Sequence, residues 1–179
     1  MFIISFSSNV FSDSSKLIKN LKVEKGFSIE IFAENIATPR QIAESDSGNI
    51  FVGSRSGGTV SVIDNNKNIR VIAKGLSNST GVTYHDGDLY FSEVNSIWKI
   101  SNIDEALLSS EQMPNKVLVT NNLPSDSHHG WKWIDFGPDN KLYVPVGAPC
   151  NICNPSLEEK YSFDKRYASI MRLNDGEWE

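Results

Sequence analysis

Two adjacent histidines, His128 and His129, precede Gly130 in the run SHHGWKWIDFGPD. An imidazole has an ordinary pKa of about 6.5, so it can accept a proton near neutral pH and act as a general base. The alternative is a pair of loop histidines hydrogen-bonded to the backbone. The third histidine, His85, lies in a turn before Asp86, where a polar residue needs no function. The pair at 128–129 is therefore the leading candidate for chemistry.

Two cysteines form a single CxxC in the run APCNICNP. Pro149 before Cys150, and Asn154-Pro155 after Cys153, indicate a loop rather than the start of a helix. A zinc site of this kind usually needs a second such pair, which the sequence lacks. A disulfide staple across the loop or two unreactive thiols is favoured over a redox pair, and no metal ligand is assigned in the chain.

The elements that must position these groups are predicted from an internal repeat. Three segments combine an Asp- or Gly-bearing turn with a short strand: DSGNIFVG from Asp46, DGDLYFSE from Asp86 and DNKLYVPV from Asp139. They recur every 40 to 50 residues, roughly, which is the period of propeller blades. The repeat therefore predicts one blade for each segment.

Further strands are predicted around each aromatic strand. An apolar stretch precedes each of them, at Arg40, Thr80 and Trp131, and a second strand follows each, at Thr59, Ser96 and Ala168. Outer strands are predicted at Ile69 and Lys116, and a short helix at Asp104. Alternating apolar positions with β-branched and aromatic residues favour strands over helices. We expect an all-β propeller; the competing architectures are a solenoid and a sandwich.

The blade count predicts an incomplete propeller. About three blades are present, whereas closed propellers have about four to eight. The segment 27–36 has outer-strand character and is expected to complete a final blade that this chain does not contain. We therefore expect a leader or signal remnant at residues 1–22, a partial propeller domain at 23–179, and a chain that is truncated at its C-terminal end.

Composition excludes some partners. The 179 residues carry a formal net charge of −5 with no block of basic residues, which argues against nucleic acid. No apolar run approaches the roughly 18 residues of a membrane span. The start MFIISFSSNVFSDSSK is apolar but lacks the basic residues of a secretory signal, so it is either a clipped signal or a disordered leader. It suggests a periplasmic or secreted protein.

The run HHGWKWIDFGPDNKLYVPVGAPCNIC resembles the sorbosone and soluble glucose dehydrogenase family. Other matching pieces begin at Gly26, Asn49 and Gly75, and together they cover nearly all of residues 23–173. The resemblance implies a six-bladed propeller that oxidises a sugar or aldehyde with pyrroloquinoline quinone (PQQ) and calcium. In that family a histidine eight residues before the Gly of the GPD turn is the general base, which here is His129.

The resemblance leaves His128 as a neighbour that is expected to orient the substrate. Arg55 is a candidate to reach an anionic cofactor, with a solvated hairpin arginine as the favoured alternative, and Lys132 beside the base is a candidate to line the pocket and contact the cofactor. The family often has Asn where this chain has Thr80, which puts a polar contact there in doubt. Most cofactor and calcium ligands are expected in later blades, so this chain alone is predicted to be inactive. The alternatives are a lactonase-type propeller hydrolase and a non-catalytic propeller that binds partners.

Overall fold

The computed structural model describes residues 14–109, 114–152 and 164–179. Contacts divide the chain into two units, Met1–Glu34 and Asn35–Glu179. The described part of the first unit contains one short helix, α1 (Ser14–Lys19). No helix in the described ranges is long and apolar enough to cross a membrane.

The second unit contains three antiparallel four-stranded sheets, which are the three predicted blades. Blade 1 consists of β1 (Pro39–Glu44), β2 (Ile50–Ser54), β3 (Thr59–Ile63) and β4 (Ile69–Lys74). Blade 2 consists of β5 (Val82–His85), β6 (Asp88–Ser92), β7 (Ile97–Ile100) and β8 (Val117–Thr120), with helix α2 (Ile103–Ser109) before β8. Blade 3 consists of β9 (Asp135–Phe136), β10 (Leu142–Val146), β11 (Ser169–Asn174) and β12 (Glu177–Trp178).

The β-propeller fold is confirmed, with three blades that do not make a closed ring. Residues 27–36 form no strand here, so their expected place in a further blade stays a prediction. One detail differs from the sequence expectation. Blade 3 has an outer strand that the sequence did not predict, because β12 has only two residues and follows β11 through a tight turn at Gly176.

The hydrophobic core lies between successive blades. Blades 1 and 2 share a cluster in which Phe51 and Phe91 are fully buried, and Ile103 of α2 joins it. A second cluster joins Ile97 of blade 2 to Leu142 and other residues of blade 3. In β10 the buried residues alternate with less buried ones, as expected for a strand with one face on a core.

Contacts among the innermost strands hold the three blades together. Strand β5 contacts both β1 and β9. The buried amide of Gln41 donates to the carbonyl oxygen of Ile134 at 2.7 Å and accepts from its N–H at 3.3 Å. Thr83 Oγ1 donates to the Asp135 carboxylate at 2.9 Å. These hydrogen bonds fix the segment that leads into β9. That segment directly follows the histidine pair.

Candidate active site

Residues Trp131–Ile134, just before β9, alternate between two environments. Lys132 and Ile134 are buried, at 1% and 0% exposure. Trp131 and Trp133 point to the other side, where both line an open cleft. The segment pairs with no strand but keeps the two-residue period of one. This alternation turns both indoles toward the cleft and the Lys132 side chain toward the protein interior.

Ser92 of β6 holds this segment against blade 2. Its hydroxyl accepts from the Gly81 N–H at 2.9 Å and donates to the Lys132 carbonyl oxygen at 2.8 Å. A Cβ on Gly81 would lie 2.4 Å from that same oxygen, so only glycine permits the approach. The entry to β5 and the entry to β9 are thereby locked together.

The backbone at His129 is tightly constrained. His129 has a φ of 51°, a left-handed conformation that is uncommon for a residue with a side chain. A Cβ on Gly147 would lie 2.4 Å from the His129 carbonyl oxygen, and one on Gly130 would lie 2.1 Å from that of Asp126. The surrounding loops therefore fix the histidine in a conformation that it would not adopt freely, as is common at functional sites.

The imidazole of His129 contacts three side chains. Its Nε2 lies 2.6 Å from Asn151 Oδ1. Its ring meets the Trp131 ring edge-on, with centroids 5.7 Å apart, and the His128 ring at 4.2 Å. Half-buried His129 is thus held by neighbours on three sides, whereas His128 is exposed.

The two histidines lie in different clefts. A cleft of about 540 Å³ contains His129 and is lined by Thr80, His129, Trp131, Trp133, Pro145, Gly147, Ala148, Cys150 and Asn151. A second cleft, of about 520 Å³, contains His128 together with Asp126 and Ile152. Cys150 and Asn151 line both clefts. The two indoles and Thr80 line only the His129 cleft, and the Asn151 amide, which lines both, is hydrogen-bonded to His129.

Arg55 reaches this site from blade 1. Its guanidinium carbon lies 3.8 Å from the centroid of the Trp131 ring, a cation–π contact. The loop that carries Arg55 is anchored by a hydrogen bond from the Arg55 N–H to the Thr38 carbonyl oxygen, at 3.1 Å. The structure therefore brings a permanent positive charge next to one wall of the His129 cleft.

Lys132 has a different environment from the one the sequence suggested. Its ammonium donates to the Gly130 carbonyl oxygen at 2.5 Å, and it is not among the residues that line either cleft. Burial lowers its pKa to about 8, against an opposing effect of the Asp126 carboxylate. The contact with a cofactor stays a prediction, and the observed role is to hold the loop of the histidine pair.

Two buried hydroxyls near the cleft lack hydrogen-bond partners among the described residues. They are Ser79 Oγ and Thr80 Oγ1, on residues that are 0% and 2% exposed. The backbone here is well paired, because the Thr80 N–H donates to Asn78 at 2.8 Å. Buried polar atoms are almost always paired, so two adjacent exceptions need an explanation. Thr80 lines the cleft, whereas Ser79 does not.

Sequence reasoning missed Asn151, although it stands inside the quoted CxxC run. Only folding brings it to His129, 22 positions earlier in the chain. Cys150 is disulfide-bonded, which agrees with a staple across the loop; Cys153 lies outside the described residues. In the described ranges no three His, Cys, Asp or Glu side chains come together to hold a metal ion.

Comparison with known proteins adds one relative by sequence, and no family model matches the chain. An uncharacterised protein of Borreliella burgdorferi is 33% identical over 160 residues. The match covers 85% of this chain and 42% of the relative, so the chain spans less than half the length of this curated protein.

Two solved structures share the architecture. The PQQ-bound aldose sugar dehydrogenase of Streptomyces coelicolor matches with a TM-score of 0.55 at 19% identity, over 83% of this chain and 48% of that one. The PQQ domain of pyranose dehydrogenase from Coprinopsis cinerea matches with a TM-score of 0.55 at 18% identity, over 77% and 34%. At the level of the fold, the chain is similar to PQQ-dependent sugar dehydrogenases.

Proposed function

We propose that this chain is the N-terminal part of a quinone-dependent dehydrogenase that oxidises a sugar or an aldehyde. The observation that carries the proposal is the convergence of His129 and Arg55, from different blades, on Trp131 at one cleft. A general base, a cation and a flat aromatic wall are the groups that a sugar oxidation with an anionic quinone needs. The fold shared with two sugar dehydrogenases supports it.

The residues of the His129 cleft fit a flat, oxygen-rich anion. Arg55 supplies a positive charge, Trp131 and Trp133 supply aromatic surface, and Thr80 carries a buried hydroxyl that lacks a partner in the described ranges. A guanidinium pairs well with the carboxylates of PQQ. When bound, the quinone supplies the acceptor for the two electrons and the hydrogen that leave the substrate carbon.

His129 performs the proton step in this proposal. Its imidazole accepts the proton of the substrate hydroxyl. Loss of this proton eases departure of the hydride from the carbon that bears the hydroxyl. The left-handed backbone of His129 and its contacts with Asn151 and Trp131 fix the direction of the ring before substrate arrives. His128 contacts the His129 ring from the second cleft, and in this proposal it has the accessory role of orienting the substrate.

Three finer parts of the proposal concern the whole protein. We place its other cofactor contacts and the calcium ligands in blades that follow this chain. We place the protein in the periplasm or outside the cell, where the disulfide at Cys150 is stable. Extending the reading frame past the codon for Glu179 is expected to reveal further blades with a basic cluster, and a stop codon there would contradict this part.

The mechanistic test uses the full-length protein reconstituted with PQQ and calcium. Reduction of an artificial electron-accepting dye is measured with a panel of aldoses for wild type and His129→Ala. We expect kcat of the variant to fall by about 10²- to 10⁴-fold, the usual contribution of a positioned general base. Unchanged turnover would remove His129 from the mechanism.

The matched control is His85→Ala, which removes a histidine that lines neither cleft. His85 stacks on Phe136 with ring centroids 3.9 Å apart. Its loss therefore tests what the removal of a packed imidazole from this fold does by itself. We expect kcat to stay within a few fold of wild type; equal losses in both variants would assign the His129 effect to folding.

A further inference from the structure

Asn151 has the geometry of a residue that orients the candidate base. Its side-chain oxygen lies 2.6 Å from Nε2 of His129, across 22 positions of sequence. It follows Cys150, whose disulfide anchors the loop, and it lines both the His128 and the His129 clefts. The amide therefore lines the cleft of each histidine and is hydrogen-bonded to His129.

The chemistry of an amide oxygen determines the state of the imidazole. An amide oxygen accepts hydrogen bonds and never donates them, so Nε2 of His129 carries the hydrogen in this contact. The lone pair of the neutral ring then resides on Nδ1. A histidine that acts as a base needs a hydrogen-bond partner on its other ring nitrogen. Without that partner neither the tautomer nor the orientation of the ring is fixed.

We propose that Asn151 is the positioning residue of His129, which holds the ring through Nε2 and leaves Nδ1 as the atom that accepts the substrate proton. The inference rests on the proposed function for the identity of the reaction, but not for the Asn151–His129 contact itself. The partner is neutral, so it orients the base without the added basicity that a carboxylate would supply.

The other charged groups near His129 in the described ranges are few. His128 contacts its ring, Arg55 lies over the Trp131 ring, Asp126 lies in the neighbouring cleft, and the Lys132 ammonium is hydrogen-bonded to the Gly130 carbonyl oxygen. All four are identical in wild type and in an Asn151 variant. A difference between the two proteins therefore isolates the contribution of position 151.

The first experiment is an NMR titration of the histidine side chains in the full-length protein without cofactor. We expect Asn151→Asp to raise the pKa of His129 by one unit or more, because the new carboxylate stabilises the imidazolium. The charge-matched control is Asn66→Asp, in the turn after β3 and outside both clefts, which is expected to leave His129 unchanged. A larger shift at His128 than at His129, or equal shifts in the two variants, would overturn the proposal.

The second experiment follows turnover of the reconstituted protein against pH. Asn151→Asp is expected to move the acidic limb of the kcat profile upward with the pKa of His129, and Asn151→Ala is expected to lower kcat about 10- to 100-fold with little change in KM. If wild type oxidises no aldose, the proposed function fails while the titration still decides the contact. If wild type is active and both variants match it in kcat and pH profile, the positioning role is wrong.

Discussion

Two polar groups, partly buried Asp104 beside blade 1 and buried Lys132 beside the His129 cleft, show how differently the two regions are built. Burial alone would raise the pKa of Asp104, but hydrogen bonds outweigh it and the pKa is lowered. The donors are Ser45 Oγ at 2.7 Å and Asn49 Nδ2 at 2.8 Å, with the Ser47 N–H at 3.3 Å. The Lys132 ammonium, by contrast, makes a single hydrogen bond within the described ranges, to the Gly130 carbonyl oxygen.

The difference extends to the surroundings of each group. Near Asp104 lies the apolar core of blades 1 and 2, with side chains such as Phe51 and Ile103 at 0% exposure. Near Lys132 lie two hydroxyls without partners in the described ranges and a left-handed His129. Natural proteins break local rules of stability mainly where function requires it. The two regions therefore differ in how completely their buried polar groups are paired, which supports the proposed cofactor site beside Lys132.

The largest expected effect is on the free energy of unfolding, and it is tested by removing one aromatic side chain from each region. Phe91 is 0% exposed in the core of blades 1 and 2, and Trp133 is 53% exposed at the cleft. We expect Phe91→Ala to lower the free energy of unfolding by about 3–5 kcal/mol, and Trp133→Ala to change it by about 0.5 kcal/mol or less. Urea denaturation measures both, and PQQ binding is expected to show the reverse order. Similar losses of stability in the two variants would contradict the proposed difference between the core and the cleft.

The second effect concerns the pH dependence of stability at Lys132. Its pKa is about 8 in the folded protein, against an ordinary 10.5. Between these values the unfolded chain binds more protons than the folded one, so stability rises with pH across this window. Relative to Lys132→Met, wild type is therefore expected to gain about 1.5 kcal/mol between pH 8 and pH 9.5. Urea denaturation at several pH values measures the gain.

A matched variant tests whether burial causes that slope. Lys74→Met removes a lysine from an exposed position at the end of β4. Any general effect of losing one positive charge appears in this variant as well. Parallel stability curves for wild type and Lys132→Met would show that the ammonium is not buried as described.

The strands of the blades were predictable because their signals are local. An Asp- or Gly-bearing turn followed by alternating apolar residues predicted β2, β6 and β10. The histidine pair was found for the same reason, since the residues that mark it are adjacent in sequence. Strand β9 is shorter than predicted, since residues 131–134 keep the alternation of a strand but are not paired in the sheet.

The assembly of the cleft was not predictable from local signals. Arg55 meets Trp131 and Asn151 meets His129 only after separate loops have been brought together. The position of Lys132 beside the candidate base suggested a contact with a cofactor, whereas residues 131–134 alternate like a strand and the Lys132 side chain is buried. Which side of a strand a residue faces depends on a core that sequence spacing does not specify.

The smallest expected effect distinguishes the two unpaired hydroxyls from each other. Thr80→Val and Ser79→Ala each remove a buried oxygen that has no partner in the described ranges. Because a buried polar atom without a hydrogen bond is destabilising, we expect each variant to raise the free energy of unfolding by about 1 kcal/mol in the ligand-free protein. Only Thr80 lines the cleft, so only Thr80→Val is expected to weaken PQQ binding, measured by quenching of tryptophan fluorescence. A loss of stability in Thr80→Val would mean that the hydroxyl has a hydrogen-bond partner within the fold. Equal PQQ affinity in the two variants would mean that the Thr80 hydroxyl does not contact the ligand. The cleft would then owe its recognition to Arg55 and the two indoles, and the contrast with the core would rest on Lys132 and His129.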